Sequence, residues 1–121
     1  MPHCLIECPT ALAARVGEQV LLATVHDAID ASGFFKPGDI KVRIAGYAHY
    51  RCGATQDDFV HVTLSVLDGR SADQRRSLAT ATMQALVELL PEVAVLSMDV
   101  REMERAVFVN RRSLDMTPIA S

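Results

Sequence analysis

Phe59-Val60-His61-Val62-Thr63-Leu64-Ser65-Val66 is the stretch that decides the fold. Val60, Val62, Leu64 and Val66 face one way while His61, Thr63 and Ser65 face the other, the period of two of a strand with one side in a core. Asp68 and Gly69 turn the chain beyond it. Ser71 and Gln74 then form a capping box that opens an amphipathic helix, with Ala79, Met83, Leu86 and Leu90 as its apolar stripe and Pro91 as its stop. From Val93 to Arg101 a further strand is expected, with Ala94, Leu96, Met98 and Val100 on one face and Ser97, Asp99 and Arg101 on the other.

The same succession lies upstream. Pro2 to Cys8 alternates Cys4, Ile6 and Cys8 against His3, Leu5 and Glu7, a strand broken at Pro9. Thr10 is placed to cap a helix carrying Leu12, Val16, Val20, Ala23, Val25 and Ile29 at helical spacing, which Gly33 ends. After the turn-rich residues 36–39, Ile40, Val42 and Ile44 alternate with Lys41, Arg43 and Ala45, so that two cations share one strand face. Residues 47–58 show no period and read as a loop. The chain is therefore a single α+β domain over 1–121, made of two β-α-β pseudo-repeats, about 2–50 and 59–101, with a tail at 102–121 that includes Asn110, Arg111 and Arg112. Two right-handed units give one four-stranded mixed sheet with two helices on one face. Parallel pairing normally occurs in sheets covered on both faces, and half of the chain is apolar, so the bare face is expected to meet other copies in a symmetric oligomer.

Composition narrows the function. Twelve Lys and Arg against fifteen Asp and Glu give net charge −3, without the basic footprint of a nucleic-acid binder, and the absence of Trp argues against base-stacking platforms. No stretch has the length and apolarity of a membrane span. Cys4, Cys8 and Cys52 form no CxxC pair, and the start of the chain has no basic region followed by a long apolar run, so a reducing, cytoplasmic setting is expected. His3, His26, His49 and His61 share no zinc-type spacing with those cysteines, and His61 reads as a satisfied face histidine. There is no GxSxG elbow, GxGxxG run or Walker-type loop. What is left is Pro2. Removal of Met1 would make it a secondary amine able to act as a base, whereas with Met1 attached its nitrogen is a non-basic amide, and a proline at a strand's first residue also has an ordinary structural reading.

Met1-Pro2-His3 with the strand ending Ile6-Glu7-Cys8, then Ser32-Gly33-Phe34-Phe35 before Ile40-Lys41-Val42-Arg43, and Phe59 to Leu64 followed by Gly69-Arg70-Ser71, together resemble the 5-carboxymethyl-2-hydroxymuconate Δ-isomerases of the tautomerase superfamily. The resemblance covers about 2–101 and fades in the tail. It implies a homotrimer, a cofactor-free isomerase that moves a double bond in 5-carboxymethyl-2-hydroxymuconate or a similar dicarboxylate, and a place in aromatic-compound (homoprotocatechuate) breakdown. It carries the general base onto Pro2 and an anion-binding arginine onto Arg70. The family's second-strand arginine falls on Lys41 here, so either Lys41 or Arg43, two residues on and on the same face, takes its place. Another tautomerase reaction, such as phenylpyruvate-type tautomerisation or dehalogenation, or a trimeric binding protein without activity, are the alternatives.

Overall fold

A computed structural model describes residues 1–115; the last part of the expected tail, 116–121, lies outside the described residues. Four strands form one mixed sheet: β1 (His3–Pro9), β2 (Lys41–Tyr47), β3 (Phe59–Leu67) and β4 (Val95–Met103), in the order β2-β1-β3-β4. Within each half the strands are parallel, with His3 opposite Lys41 and Phe59 opposite Val95, and the halves join through the antiparallel pair β1 and β3, with His3 opposite Ser65. The mixed sheet of two β-α-β units matches the expectation.

The alternation is visible in burial. Cys4, Ile6 and Cys8 of β1 and Val60, Val62, Leu64 and Val66 of β3 are sealed against the helices, and Val42, Ile44, Leu96, Met98 and Val100 of the outer strands pack on the same core. Burying each such aliphatic side chain contributes about 1.5–3 kcal/mol before conformational entropy is charged against it.

Three helical readings need correction. The helix expected from Thr10 to about Ile29 is two helices, α1 (Thr10–Val16) and α2 (Glu18–Asp30), broken at Gly17, whose φ of +100° an L side chain rarely adopts. The break rephases the second segment: Leu21, Val25 and Ile29 are buried one above another, while Val20 is 49% exposed. Thr10 is the first helical residue rather than the cap, which is Pro9. In α3 (Ala72–Leu89) the expected capping box is present, but the buried stripe is Leu78, Thr82 and Leu86, continued by Leu90, and Ala79 and Met83 flank it. Thr82 is tolerated there because its hydroxyl donates to the Leu78 carbonyl at 2.9 Å, so the buried hydroxyl is itself paired. A single 3₁₀ turn, Arg105–Val107, and a short helix α4 (Arg111–Asp115) follow β4.

The face away from the helices holds the residues that the alternation assigns to it. It carries His3, Leu5 and Glu7 of β1, Lys41, Arg43 and Ala45 of β2, His61, Thr63 and Ser65 of β3, and Ser97, Asp99 and Arg101 of β4. Apart from Leu5 and Ala45 this face is polar, while the alternate strand residues go into the helix-side core. No described helix is long and apolar enough to cross a membrane.

Candidate active site

Strand direction brings the site together. Because β1 runs against β3, the start of β1 lies beside the end of β3; because β2 runs with β1 and β4 with β3, the start of β2 and the end of β4 reach the same end of the sheet. Backbone hydrogen bonds extend both ladders there, from Lys41 N to the Pro2 carbonyl at 3.1 Å and from Asp68 N to the Met103 carbonyl at 3.0 Å. A cleft of about 400 Å³ opens at this end, with Met1, Phe34, Phe35, Lys36, Arg70 and Arg105 among its walls.

Each wall has a local cause. The Ser32 hydroxyl donates to the Ile29 carbonyl at 2.7 Å and accepts from Phe34 N at 3.1 Å, which folds the chain after α2 so that the two phenyl rings stand at the cleft. Gly69, at φ +115°, makes the turn between β3 and α3 that directs Arg70 back toward them. The Arg70 guanidinium lies 4.8 Å from the centroids of both rings and donates to the Phe34 carbonyl at 2.6 Å. A cation stacked this way gains about 0.5–2 kcal/mol and is held in one orientation, with N–H groups left over for an anion. Lys41 Nζ donates to the Asp39 carbonyl at 2.6 Å and lies 3.9 Å from Met1 Sδ.

These cations act on the chain's amine. Burial pulls the Met1 amino group below the usual α-amine value; Asp39 opposes the shift, and Lys41, Arg70 and Arg105 add to it. His3 is lowered likewise, by burial and then by Arg43, Lys41 and the amine.

Of the four residues singled out from sequence, Pro2 is buried at the start of β1, and Lys41 and Arg70 converge on the same end of the sheet. Neither Lys41 nor Arg43 is among the residues that line the cleft: Lys41 is half-buried at the start of β2, its Nζ held by the Asp39 carbonyl, and Arg43 is exposed two residues on, with Nη1 3.3 Å from His3 Nδ1. Arg105 and Asp39 line the cleft although nothing in the local sequence marked them. Tyr47 sits at the far end of β2, about 20 Å away by strand rise, hydrogen-bonded to Glu7, and Tyr50 packs edge-on to Phe59. Cys4 is inert, its thiol pushed up to about 12 by burial. Among the described residues no group of three or more His, Cys, Asp or Glu is placed to hold a metal ion.

Paired β-α-β units in one mixed sheet, with cations gathered around the N-terminus of β1, are the setting of the site. The 5-carboxymethyl-2-hydroxymuconate isomerase family matches residues 2–116, and the chain belongs to that family; it is an isomerase. Among solved structures it is similar to a 5-carboxymethyl-2-hydroxymuconate isomerase from Deinococcus radiodurans R1, at 22% identity and TM-score 0.79 over 91% of this chain and 88% of that one. A 5-carboxymethyl-2-hydroxymuconate delta-isomerase aligns at 19% identity and TM-score 0.70 over 97% and 94%. A fused 4-OT wild-type symmetric trimer aligns at 11% and 0.71 over 84% and 87%. No curated protein matches the chain.

Proposed function

We propose that the enzyme shifts a double bond in 5-carboxymethyl-2-hydroxymuconate, which bears three carboxylates, or in a similar unsaturated dicarboxylate, with Pro2, freed by removal of Met1, as general base. The reading rests on one observation above all: burial and three cations, Lys41, Arg70 and Arg105, bear on the amine at the mouth of the cleft. A base works best with a pKa near the operating pH, and an α-amine starts near 8, so lowering it raises the unprotonated fraction at neutrality. The neutral Pro2 nitrogen takes the proton of the substrate's dienol hydroxyl or, in the keto form, of the carbon between the carbonyl and the double bond. Electrons move onto the oxygen, Arg70 faces the dienolate charge, and the ammonium returns the proton to the distal carbon. One proton leaves and one is returned, so the reaction balances without a co-reactant. Lys41 is the nearer substitute for a second-strand arginine; Arg43 would contribute from the bare face. Homotrimeric assembly, a cytoplasmic location and a role in aromatic-compound breakdown complete the proposal.

The test is an absorbance assay with 5-carboxymethyl-2-hydroxymuconate on protein whose N-terminus is verified by intact mass. Pro2→Ala and Arg70→Ala should each lose at least about a hundredfold in turnover. Near wild-type rates in both variants, or full activity with Met1 retained, overturn the assignment.

A further inference from the structure

Arg105 is held in a way that exposed arginines seldom are. Its side chain is 65% exposed, yet it is fixed to Asp68 at three points: the backbone N donates to Oδ2 at 3.2 Å, Nη2 donates to the backbone carbonyl at 3.0 Å, and Nε lies 3.4 Å from Oδ1. Asp68 is itself anchored by its backbone bond to Met103, and the 3₁₀ turn starting at Arg105 fixes where the side chain leaves the chain. The entropy of ordering a long side chain is thus already spent before any ligand arrives. Nη1 has no hydrogen-bond or ion-pair partner among the described residues, and Arg105 lines the same cleft as Arg70.

Two arginines oriented by separate supports, Arg70 by Phe34 and Phe35 and Arg105 by Asp68, stand in one cleft that Asp39 and Asp68 also line, and each keeps N–H groups that the supports do not use. The cleft's volume of about 400 Å³ suits a small molecule bearing a carboxylate at each end. We infer that Arg105 binds the substrate carboxylate remote from the reacting carbons and so sets the preference for two carboxylates over one. This rests on the isomerase reading for its substrate class, but it is a statement about binding and is tested without turnover.

The experiment is calorimetric titration of the enzyme with adipate and with hexanoate, which share six carbons and differ in one carboxylate. Wild type should bind adipate at least about tenfold more tightly, the scale of one charge-assisted hydrogen-bonded contact. Arg105→Ala should abolish that preference by losing more affinity for adipate than for hexanoate, and Arg105→Lys, which keeps the charge and loses the fork, should fall between. An unchanged far-ultraviolet circular dichroism spectrum serves as the folding control. An unchanged adipate preference in Arg105→Ala, a parallel loss of both ligands, or no preference in wild type overturns the inference. If the preference depends on Arg105 while the isomerase assay is negative, the carboxylate subsite stands and the isomerase reading is what fails.

Discussion

An amine is a base only while unprotonated, so what matters at Pro2 is how the site treats charge. The position is buried, and the amine one residue before it is lowered first by burial and then by Lys41, Arg70 and Arg105 against the opposition of Asp39. A freed Pro2 should feel the same influences, because Lys41 N already bonds its carbonyl. The sign follows: kcat/KM rises with pH as the ammonium loses its proton, and its half-point falls below the ordinary α-amine value of about 8. Arg70→Ala removes one depressing cation, so the rising limb should move to higher pH in addition to the loss in rate. Arg70→Lys keeps the charge, so its limb should coincide with wild type while the plateau drops for want of the fork held on Phe34 and Phe35. A pH profile of kcat/KM for the three proteins checks this; coincident limbs in wild type and Arg70→Ala would show that Arg70 does not act on the base.

At the scale of elements, two local devices decide where helices begin and end. In α3 the Ser71 side chain accepts from Gln74 N at 3.1 Å and Ser71 N donates to Gln74 Oε1 at 2.9 Å. Ser71→Ala should cost about 1 kcal/mol, a fall of about 4 °C in Tm by thermal denaturation. Gly17 meets only ordinary contacts from Val20, so Gly17→Ala has space for a Cβ but not the backbone for it, and should cost about 1–3 kcal/mol from strain alone. A loss below that of Ser71→Ala would mean that the junction of α1 and α2 relaxes freely. The strands were legible because alternate residues divide between core and bare face, as Val60 and His61 do, and the capping box because its spacing is local. The break at Gly17 was hidden because apolar residues recur on both sides of it, and the buried Thr82 because a hydroxyl satisfied by its own helix looks polar in sequence. Pro2, Lys41 and Arg70 were singled out through a resemblance, and strand direction explains why they meet. Arg105 escaped because it lies in an aperiodic tail, and only the pairing of β3 with β4 carries it to Asp68.

For the whole molecule the open question is what covers the second face of the sheet. Sheets with parallel pairs are ordinarily covered on both sides, and here the helices occupy one. Several polar groups of the other face are already paired within the chain: Arg43 with His3, Tyr47 with Glu7, His61 with Ser97 at 2.6 Å, and Arg101 with Asp99 at 2.7 Å. A second copy laid on such a surface would strand few unsatisfied groups, which removes the main penalty of burying polar atoms. Leu5 lies at the middle of this face, on a central strand, flanked in register by Arg43 and Thr63. Leu5→Arg would set a second guanidinium beside Arg43 at the centre of a packed face while leaving the helix-side core intact. Wild type should sediment with three times the mass of one chain, and Leu5→Arg should sediment as a single chain with an unchanged far-ultraviolet circular dichroism spectrum. Retention of the wild-type mass by Leu5→Arg would mean that the copies meet elsewhere, and a monomeric wild type would leave the polar face to water.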